Sequence, residues 1–398
     1  MNSWGERVAV GSLVITSLLA PASLAIQSIG IAVAVIAWGC ARVFGRQAPI
    51  QTAATVPLLL WFLAGMISLV HSVALATSLR GLFKILKVIA VVLMTADLMR
   101  SKRRITALVA AAMIGAAIVS LDDLIQVLWG TDLLHHDPAG MGPGGIRRLS
   151  ATFHHGNDFA VYAVTMLPVC LAAALGARTV KYRLWTGFVV GMLGLALALS
   201  LSRSGAVSIS VSLLVFCILR KAWRTLAVLS LLAVVAAWNL PAPLRQWILS
   251  QPSWLEALVQ PLRLEIWQAA LKMIADHPWI GIGVNTFTLN YATYKIPSDT
   301  LQAAYAHNQY LHLTAELGVV GLAAFGFLLV RTFAAWRQVL HDPNSWTRTI
   351  AVGLGCGLLG VLTIGLFESA LYSARTSFFF WLWFGVLHGM AASLRPTS

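Results

Sequence analysis

The chain has 398 residues, of which 59% are hydrophobic and only 11% are charged, and its mean hydropathy is strongly positive. No soluble domain of this size shows such a composition, which therefore indicates an integral membrane protein. The formal net charge of +14 does not indicate nucleic-acid binding, because the Lys and Arg residues are spread over short loops and are not clustered on one face or tail.

Apolar runs of about 20 residues recur along nearly the whole chain, and this is the length a helix needs to cross the hydrocarbon layer. The alternating ten-residue segments of an outer-membrane barrel are missing. We therefore predict an all-α fold, with residues 1–398 forming a single polytopic membrane domain of about twelve spans. The predicted spans are roughly residues 8–20, 22–41, 54–71, 79–98, 105–128, 157–177, 184–201, 204–219, 223–238, 316–336, 349–367 and 376–393.

Two of the long apolar runs must be broken into pairs of spans. Residues 184–219 are apolar except for Arg203, and as one helix they would be about 54 Å long against roughly 30 Å of hydrocarbon. We predict a tight turn near Ser200 to Gly205 and a similar break at Pro21. The run Val8 to Ala20 is also short enough for a signal-peptide core, but a second apolar run follows at once, which favours a first span.

The distribution of basic residues predicts the topology, because loops on the cytoplasmic side carry an excess of Lys and Arg. Alternate loops and both chain ends hold the basic residues Arg7, Arg42, Arg46, Arg100, Lys102, Arg103, Arg104, Arg178, Lys181, Arg183, Arg220, Lys221, Arg224, Arg331, Arg337, Arg348 and Arg395. We expect these loops and both termini to be cytoplasmic. The opposite, periplasmic side then holds the loop 129–156 and the large loop 239–315 between spans nine and ten.

One short motif joins the large loop to an apolar helix: AHNQYLHLTAELG, from Ala306 to Gly318. At 100° per residue, His307, Tyr310 and Gly318 fall on one helical face, with the histidine above a notch that lacks a side chain. A titratable ring in this position is a candidate catalytic group. The alternative is a capping histidine and a glycine at a close helix contact.

Arginines on the periplasmic side are candidates for binding an anion. Arg203 lies at the turn between two otherwise apolar spans, where an arginine faces a wet cavity or a partner, or snorkels to the interface. The segment Leu262 to Asp276 predicts an amphipathic helix ending before Pro278, with Arg263 on its apolar side. Such a cation must meet an anion, a cavity or lipid phosphates.

Other charged residues lie at the same side. Arg80, Lys84 and Lys87 recur at i, i+4 and i+7 and form a basic stripe on the fourth span. Glu368 ends the eleventh span and Arg375 opens the twelfth, so that we expect these two to form an ion pair.

No pattern in the sequence predicts a metal or cofactor site. The segment 135–158 holds four histidines and two arginines among glycines, but it fits neither HExxH nor an EF-hand loop, and we interpret it as a mobile flap. The cysteines lie far apart in apolar runs and are expected to be unpaired core residues: Cys40, Cys170, Cys217 and Cys356.

A histidine, several fixed cations and few acids together suit a diphosphate substrate. When a hydroxyl attacks a sugar carbon that carries a diphosphate, arginines hold the departing charge in a bidentate manner. A histidine can act as the general base for the hydroxyl near neutral pH. Because no DxD cluster is present to hold a divalent ion, we predict metal-independent transfer without a cofactor.

The ordered set of these motifs resembles the O-antigen ligase and polymerase superfamily, the Wzy and WaaL proteins. The run of His307, Asn308, nine residues and Gly318 is similar to the H[NSQ]x9G signature, and two further features agree: the SxSRxG element at Ser200 to Gly205, and the helix from Arg263 that runs into DHPWIGIGVNTF. The resemblance covers residues 151–310 in order, together with the large loop before the final three spans.

The resemblance implies a GT-C-like helical bundle and a glycan donor carried on undecaprenyl diphosphate. It implies that Arg203 and Arg263 bind the diphosphate and that His307 is catalytic, with Glu368 matching an acidic residue found before the last span. Asn308, Tyr310 and Gly318 would support this site, and Arg80 and Lys87 would guide phosphates of the donor or of the lipid A-core acceptor. A contribution from His312, His154 or His155 stays open.

Three activities are compatible with the superfamily. A ligase transfers the finished glycan to lipid A-core, a polymerase joins repeat units, and a protein O-oligosaccharyltransferase glycosylates Ser or Thr. The modest chain length favours the ligase over the protein transferase. A transporter or flippase for lipid-linked sugars is the alternative outside enzymes, but it predicts repeat symmetry and charges spread along the depth of several helices, whereas the candidates here crowd to one side.

Overall fold

A computed structural model describes residues 4–45, 50, 52–142, 145–149, 151–153, 155–239, 241–250, 261–296, 301 and 304–394. Within these residues the chain forms fifteen α-helices and one antiparallel hairpin. The helices are α1 (Trp4–Leu19), α2 (Leu24–Phe44), α3 (Thr55–Ser68), α4 (Leu75–Leu98), α5 (Lys102–Trp129), α6 (Gly156–Gly176), α7 (Val180–Leu199), α8 (Arg203–Arg220), α9 (Trp223–Trp238), α10 (Ala242–Leu249), α11 (Pro261–Asp276), α12 (Phe287–Tyr294), α13 (Gln309–Leu340), α14 (Ser345–Ile364) and α15 (Ala374–Ser393). The hairpin strands are β1 (Gly140–Met141) and β2 (Arg147–Arg148). Arg46, His154 and Arg395 lie outside the described residues.

A helix lies at each of the twelve predicted span positions, and both predicted breaks are present. Helix α7 ends at Leu199 and α8 begins at Arg203, where the Ser202 hydroxyl accepts the Gly205 amide N–H at 3.3 Å. The chain also breaks after α1, and Ser23 caps the start of α2 by accepting the Ile26 N–H. These caps satisfy amide groups that a helix start leaves without a partner, so they fix where each helix begins.

In the part of the chain that the structure describes, seven helices are long and apolar enough to cross a membrane by length and composition. They are α2, α5, α6, α7, α8, α13 and α14. Helices α1, α3 and α9 have 16, 14 and 16 residues, and α4 carries the three basic residues of its stripe. The chain is therefore a multi-pass helical protein, while the count of twelve spans stays a prediction.

The interior of the bundle is formed by α6, α14 and α15, whose side chains are mostly buried. Small residues let α14 approach α6 closely: a Cβ at Gly357 would lie 2.5 Å from the Thr165 carbonyl oxygen, and one at Gly353 would lie 2.6 Å from the Ala172 Cβ. Such contacts are typical of helix association in membranes, where packing replaces the hydrophobic effect. The outer faces of α2, α4 and α7 expose large apolar side chains, as expected of surfaces in contact with lipid.

The segment between α9 and α13 contributes a second, smaller core. Helices α11 and α12 pack on the beginning of α13. The helix predicted from Leu262 to Asp276 is present as α11, and its predicted end at Asp276 is confirmed. The buried residues of this core are Ile266, Ala269, Ala270, Met273, Ile282, Phe287, Tyr291, Ala306 and Ala315. Because Arg263 lies one turn before Ile266, this packing fixes the arginine near the start of α13.

Gly318 interrupts α13 and corrects one expectation from the sequence. Its backbone has φ +65° and ψ −171°, a conformation that is essentially restricted to glycine, and a Cβ there would lie 2.2 Å from the carbonyl oxygen of Trp279. At this kink the Val319 N–H donates to the Pro278 carbonyl at 2.8 Å. The Pro278–Ile280 backbone thus fills the notch at Gly318, and His307 lies outside the helix. The prediction that His307 and Gly318 share one helical face was therefore wrong.

Candidate active site

The start of α13 is bonded to the loop that follows α14, residues 365–373. Asn308 caps α13, its Oδ1 accepting the backbone N–H groups of Tyr310 and Leu311 at 3.0 Å each, while its Nδ2 donates to the Leu366 carbonyl at 3.1 Å. The predicted supporting residue Tyr310 bonds the end of α14 through its hydroxyl, which donates to the Leu362 carbonyl at 2.7 Å. These bonds hold together two segments that are more than 50 residues apart in the sequence.

Gln309 adds two more bonds across the same junction. Its backbone N–H donates to the Gly365 carbonyl at 2.7 Å, and its Oε1 accepts the Leu371 N–H at 2.8 Å. His307 immediately precedes this cap with φ +46°, so its backbone turns away from the helix direction. The side chains of His307 and Glu368 are therefore carried by backbone whose relative position is set by several hydrogen bonds.

Glu368 is the centre of the site. Its Oε1 accepts hydrogen bonds from Arg263 Nη2 at 2.6 Å and from Asn157 Nδ2 at 2.7 Å, and its Oε2 lies 3.0 Å from His307 Nδ1. The exposed fractions of the side chains are 9% for Glu368, 14% for Arg263 and 39% for His307. A nearly buried carboxylate thus fixes one nitrogen of a histidine whose ring stays accessible.

Arg263 reaches Glu368 from the buried side of α11. Its Nη1 also donates to the Phe367 carbonyl at 2.8 Å, so that two of the five N–H groups of the guanidinium are engaged in these contacts. The prediction of an ion pair between Glu368 and Arg375 was wrong. Glu368 pairs with Arg263, and the Arg375 guanidinium lies over the Phe153 ring, 5.7 Å from its centroid. The two residues are only seven positions apart, but α15 directs Arg375 toward the 151–153 turn.

Asn157 and Arg148 complete the polar network, and neither was a candidate from the sequence. Asn157 Oδ1 accepts a hydrogen bond from Arg148 Nη2 at 2.6 Å, and Arg148 Nε donates to the Ser200 carbonyl at 2.7 Å. Burial lowers the pKa of Arg148, the Glu368 carboxylate opposes that effect, and the Arg263 charge adds to it. Arg148 belongs to the adjacent arginine pair of the predicted flap, which was the available signal; no sequence pattern distinguished Asn157.

Arg203 stands near the same network at the first position of α8. It is close enough to Arg263 and Arg148 for their positive charges to act on it. The two predicted diphosphate-binding arginines are therefore brought together, with Arg148 as a third. These three arginines outnumber the two carboxylates that line the neighbouring cavity, Glu368 and Asp158, and the excess of positive charge favours an anionic ligand.

A cavity of about 720 Å³ opens beside these side chains. Its polar lining includes His307, Glu368, Arg263, Asn157, His155 and Asp158. Pockets that hold small molecules typically have about 300–1,000 Å³. The volume therefore lies in the range of cavities that hold a small-molecule ligand.

Behind the cavity wall lies a buried aromatic stack that includes His312. This ring is fully buried, stacks on Tyr372 with 3.6 Å between centroids, and places Nδ1 3.0 Å from the Ser369 hydroxyl. The Tyr372 hydroxyl donates to Glu316, and burial raises the pKa of Tyr372 well above its ordinary value, with the Glu316 charge adding to the shift. His312 thus supports the loop that carries Glu368, whereas His155 faces the cavity.

The basic stripe on α4 does not line this cavity. Arg80 is exposed, Lys84 donates to Asn285 Oδ1 at 2.8 Å, and Lys87 lies beside Gln27 and Trp381 in a separate small pocket. The predicted role of Arg80 and Lys87 in guiding phosphates stays a prediction.

Residues 187–326 match the family model described as O-Antigen ligase. The matched segment begins in α7 and ends within α13, and it contains Arg203, Arg263, His307 and Gly318. No curated protein matches the chain. The match supports the resemblance to the O-antigen ligase and polymerase superfamily.

Proposed function

We propose that the protein is a metal-independent, inverting glycosyltransferase that acts as an O-antigen ligase at the periplasmic side of the bacterial inner membrane. It transfers a glycan from undecaprenyl diphosphate to a hydroxyl of lipid A-core. The observation that carries the proposal is the convergence of His307, Glu368 and Arg263 on one cavity. Two of these residues lie in the segment that matches the O-antigen ligase family.

His307 is the general base in this proposal. Because Glu368 Oε2 holds Nδ1 at 3.0 Å, Nδ1 carries the ring proton and Nε2 is free to accept the proton of the acceptor hydroxyl. The carboxylate then stabilises the imidazolium that forms, which is the logic of a histidine oriented by an acidic partner. The 39% exposure of the His307 side chain leaves the ring accessible to an acceptor.

The arginines hold the leaving group. Three of the five N–H groups of Arg263 are not used in its bonds to Glu368 and Phe367, and Arg203 and Arg148 add charge from the α8 side. Guanidinium groups match phosphate oxygens in a bidentate manner and stabilise the charge that develops as the diphosphate departs.

The step balances as a single displacement. The acceptor oxygen forms a bond to the anomeric carbon from the face opposite the diphosphate, and the bond between that carbon and the diphosphate oxygen breaks. Undecaprenyl diphosphate leaves with the bonding electron pair, and the proton of the hydroxyl passes to His307. The configuration at the anomeric carbon is inverted.

The test is a lipopolysaccharide gel from a deletion strain that carries the wild-type gene or His307→Ala, with lipid-linked glycan extracted in parallel. For the variant we expect bare lipid A-core on the gel and long polymer accumulating on the lipid carrier. The matched control is His341→Ala, an exposed histidine at the other end of α13, which should give a normal ladder.

Two results would overturn the assignment. Core that carries a single repeat unit would identify a polymerase, since attachment would be intact and chain growth lost. A normal ladder from the His307→Ala strain would remove this histidine from the reaction.

A further inference from the structure

A second cavity, of about 450 Å³, lies between helices α13 and α15, residues 52–53 and Arg100, which follows α4. Its lining includes the basic side chains Arg100, Arg331 and His388, together with Gln338 and apolar residues such as Val330 and Ala392. In the part of the chain that the structure describes, the lining holds no acidic side chain.

This cavity lies at the opposite boundary of the bundle from His307. Arg331 lies 13 positions beyond the interruption at Gly318, which corresponds to about 20 Å along the second part of α13. Arg100 lies two residues after the end of α4, and His388 lies in the later part of α15. The basic-residue distribution predicts that this boundary faces the cytoplasm, so the cavity opens near the lipid headgroups of that leaflet.

The charges around the cavity are unbalanced. Asp97, which does not line the cavity, pairs with Arg42 and also with Arg100, whose Nη2 lies 2.9 Å from the carboxylate. Arg331 on the facing helix adds a positive charge to the lining and is exposed. His388 is nearly fully buried, with Nε2 2.9 Å from the Thr332 hydroxyl, and closes the inner wall of the cavity.

We propose that this cavity binds the phosphate of an anionic phospholipid of the predicted cytoplasmic leaflet. Arg331 and Arg100 hold the phosphate oxygens, and the apolar lining faces the adjoining part of the acyl chains. Guanidinium groups suit phosphate, and basic pockets between membrane helices on the cytoplasmic side are typical sites for such headgroups. The site is separate from the proposed active site and does not depend on the proposed function.

The experiment uses the full-length protein in a neutral detergent with phosphatidylglycerol and phosphatidylcholine of identical acyl chains. Native mass spectrometry counts the lipids that each protein retains from an equimolar mixture. The wild type should retain phosphatidylglycerol in preference to phosphatidylcholine, and Arg331→Ala should weaken that preference by about tenfold, the effect of losing one charged hydrogen-bonded contact. Arg337→Ala, an exposed arginine of the same helix that does not line the cavity, should keep the wild-type preference.

The proposal is overturned if the wild type shows no preference between the two lipids, or if Arg331→Ala and Arg337→Ala behave alike. Competition with inorganic phosphate is the remaining measurement. If millimolar phosphate alone displaces phosphatidylglycerol from the wild type, the site is one for a free anion and the lipid assignment is wrong. Thermal unfolding of each variant confirms that it is folded before lipids are counted.

Discussion

The substitution Glu368→Gln tests the central contact of the site at nearly constant volume. The amide oxygen of the new side chain must take the place of Oε1, because Arg263 and Asn157 both donate to that position at 2.6 and 2.7 Å. The amide nitrogen then faces His307 Nδ1, where the carboxylate oxygen lay at 3.0 Å. It donates to Nδ1, which moves the ring proton to Nε2, so the nitrogen that faces the acceptor can no longer accept a proton.

The magnitude follows from the role of the base. General base catalysis contributes about 10²–10⁴-fold, so kcat should fall by that factor, equivalent to roughly 3–5 kcal/mol. The KM of the donor should change little, because the lost interaction acts on the transition state. The free energy of unfolding should fall by about 1–3 kcal/mol, since Arg263, with 14% of its side chain exposed, keeps a neutral acceptor in place of a charged one.

The assay is transfer from a lipid-diphosphate-linked glycan to lipid A-core by purified protein in detergent, with kcat and KM measured separately. Glu265→Gln on the polar side of α11 is the matched control, because that residue does not line the cavity, and it should retain activity. Size-exclusion chromatography and thermal unfolding establish that each variant is folded. If folded Glu368→Gln keeps more than about a tenth of the wild-type kcat, the carboxylate does not set the tautomer of His307 and the reasoning is refuted.

Three further predictions concern the backbone at Gly318, the guanidinium of Arg263 and the predicted metal independence. Gly318→Ala should lower the free energy of unfolding by about 3 kcal/mol or more and the thermal midpoint by several degrees, because the φ of Gly318 is +65° and a Cβ would meet the Trp279 backbone at 2.2 Å. The control is Gly326→Ala, where a Cβ meets nothing within 4 Å, and it should be neutral or slightly stabilising. Equal thermal midpoints for the two variants would contradict this prediction. Arg263→Lys should reduce transfer by at least about tenfold, since lysine keeps the charge but cannot bond Glu368, Phe367 and a phosphate with one planar fork; retained activity in the same assay would count against bidentate holding. EDTA should leave transfer by the purified protein unchanged, and loss of activity that a divalent ion restores would show that metal independence is wrong.

The helices and the ends of most of them follow from local sequence. An apolar run longer than the hydrocarbon thickness must break, and the break occurs where Ser202 can cap the next helix, so the chain turns at residues 200–202, within the predicted segment Ser200 to Gly205. The amphipathic pattern of α11 likewise places Arg263 on the buried side, because a period of 3.6 residues is a property of the helix itself. The start of α13 was predicted less accurately. The helix begins at Gln309, seven residues before the predicted span, because Asn308 caps a first turn of polar residues that precedes the apolar run.

Members of the site differ in how well sequence could identify them. His307 and the two arginines belong to spaced motifs, which can be recognised from the order of the residues alone. Asn157 follows no motif, and its importance arises because it bonds both Glu368 and Arg148, which come from different parts of the chain. Such a contact depends on where α6 packs, and local pattern carries no information about it.

The sequence by itself determined that this is a multi-pass helical protein, because hydropathy, helical period and cap residues act over a few turns of chain. It also predicts that the basic loops share one side of the membrane, with His307 and the arginines Arg203 and Arg263 on the other. Only the tertiary structure decided that Glu368 binds Arg263 and His307 and not Arg375, which is closer to it in the sequence. It also decided that Gly318 admits the Pro278–Ile280 backbone and does not form a notch beneath the histidine. Both outcomes depend on close packing between segments that lie tens of residues apart, where a shift of about 1 Å changes which partners can bond.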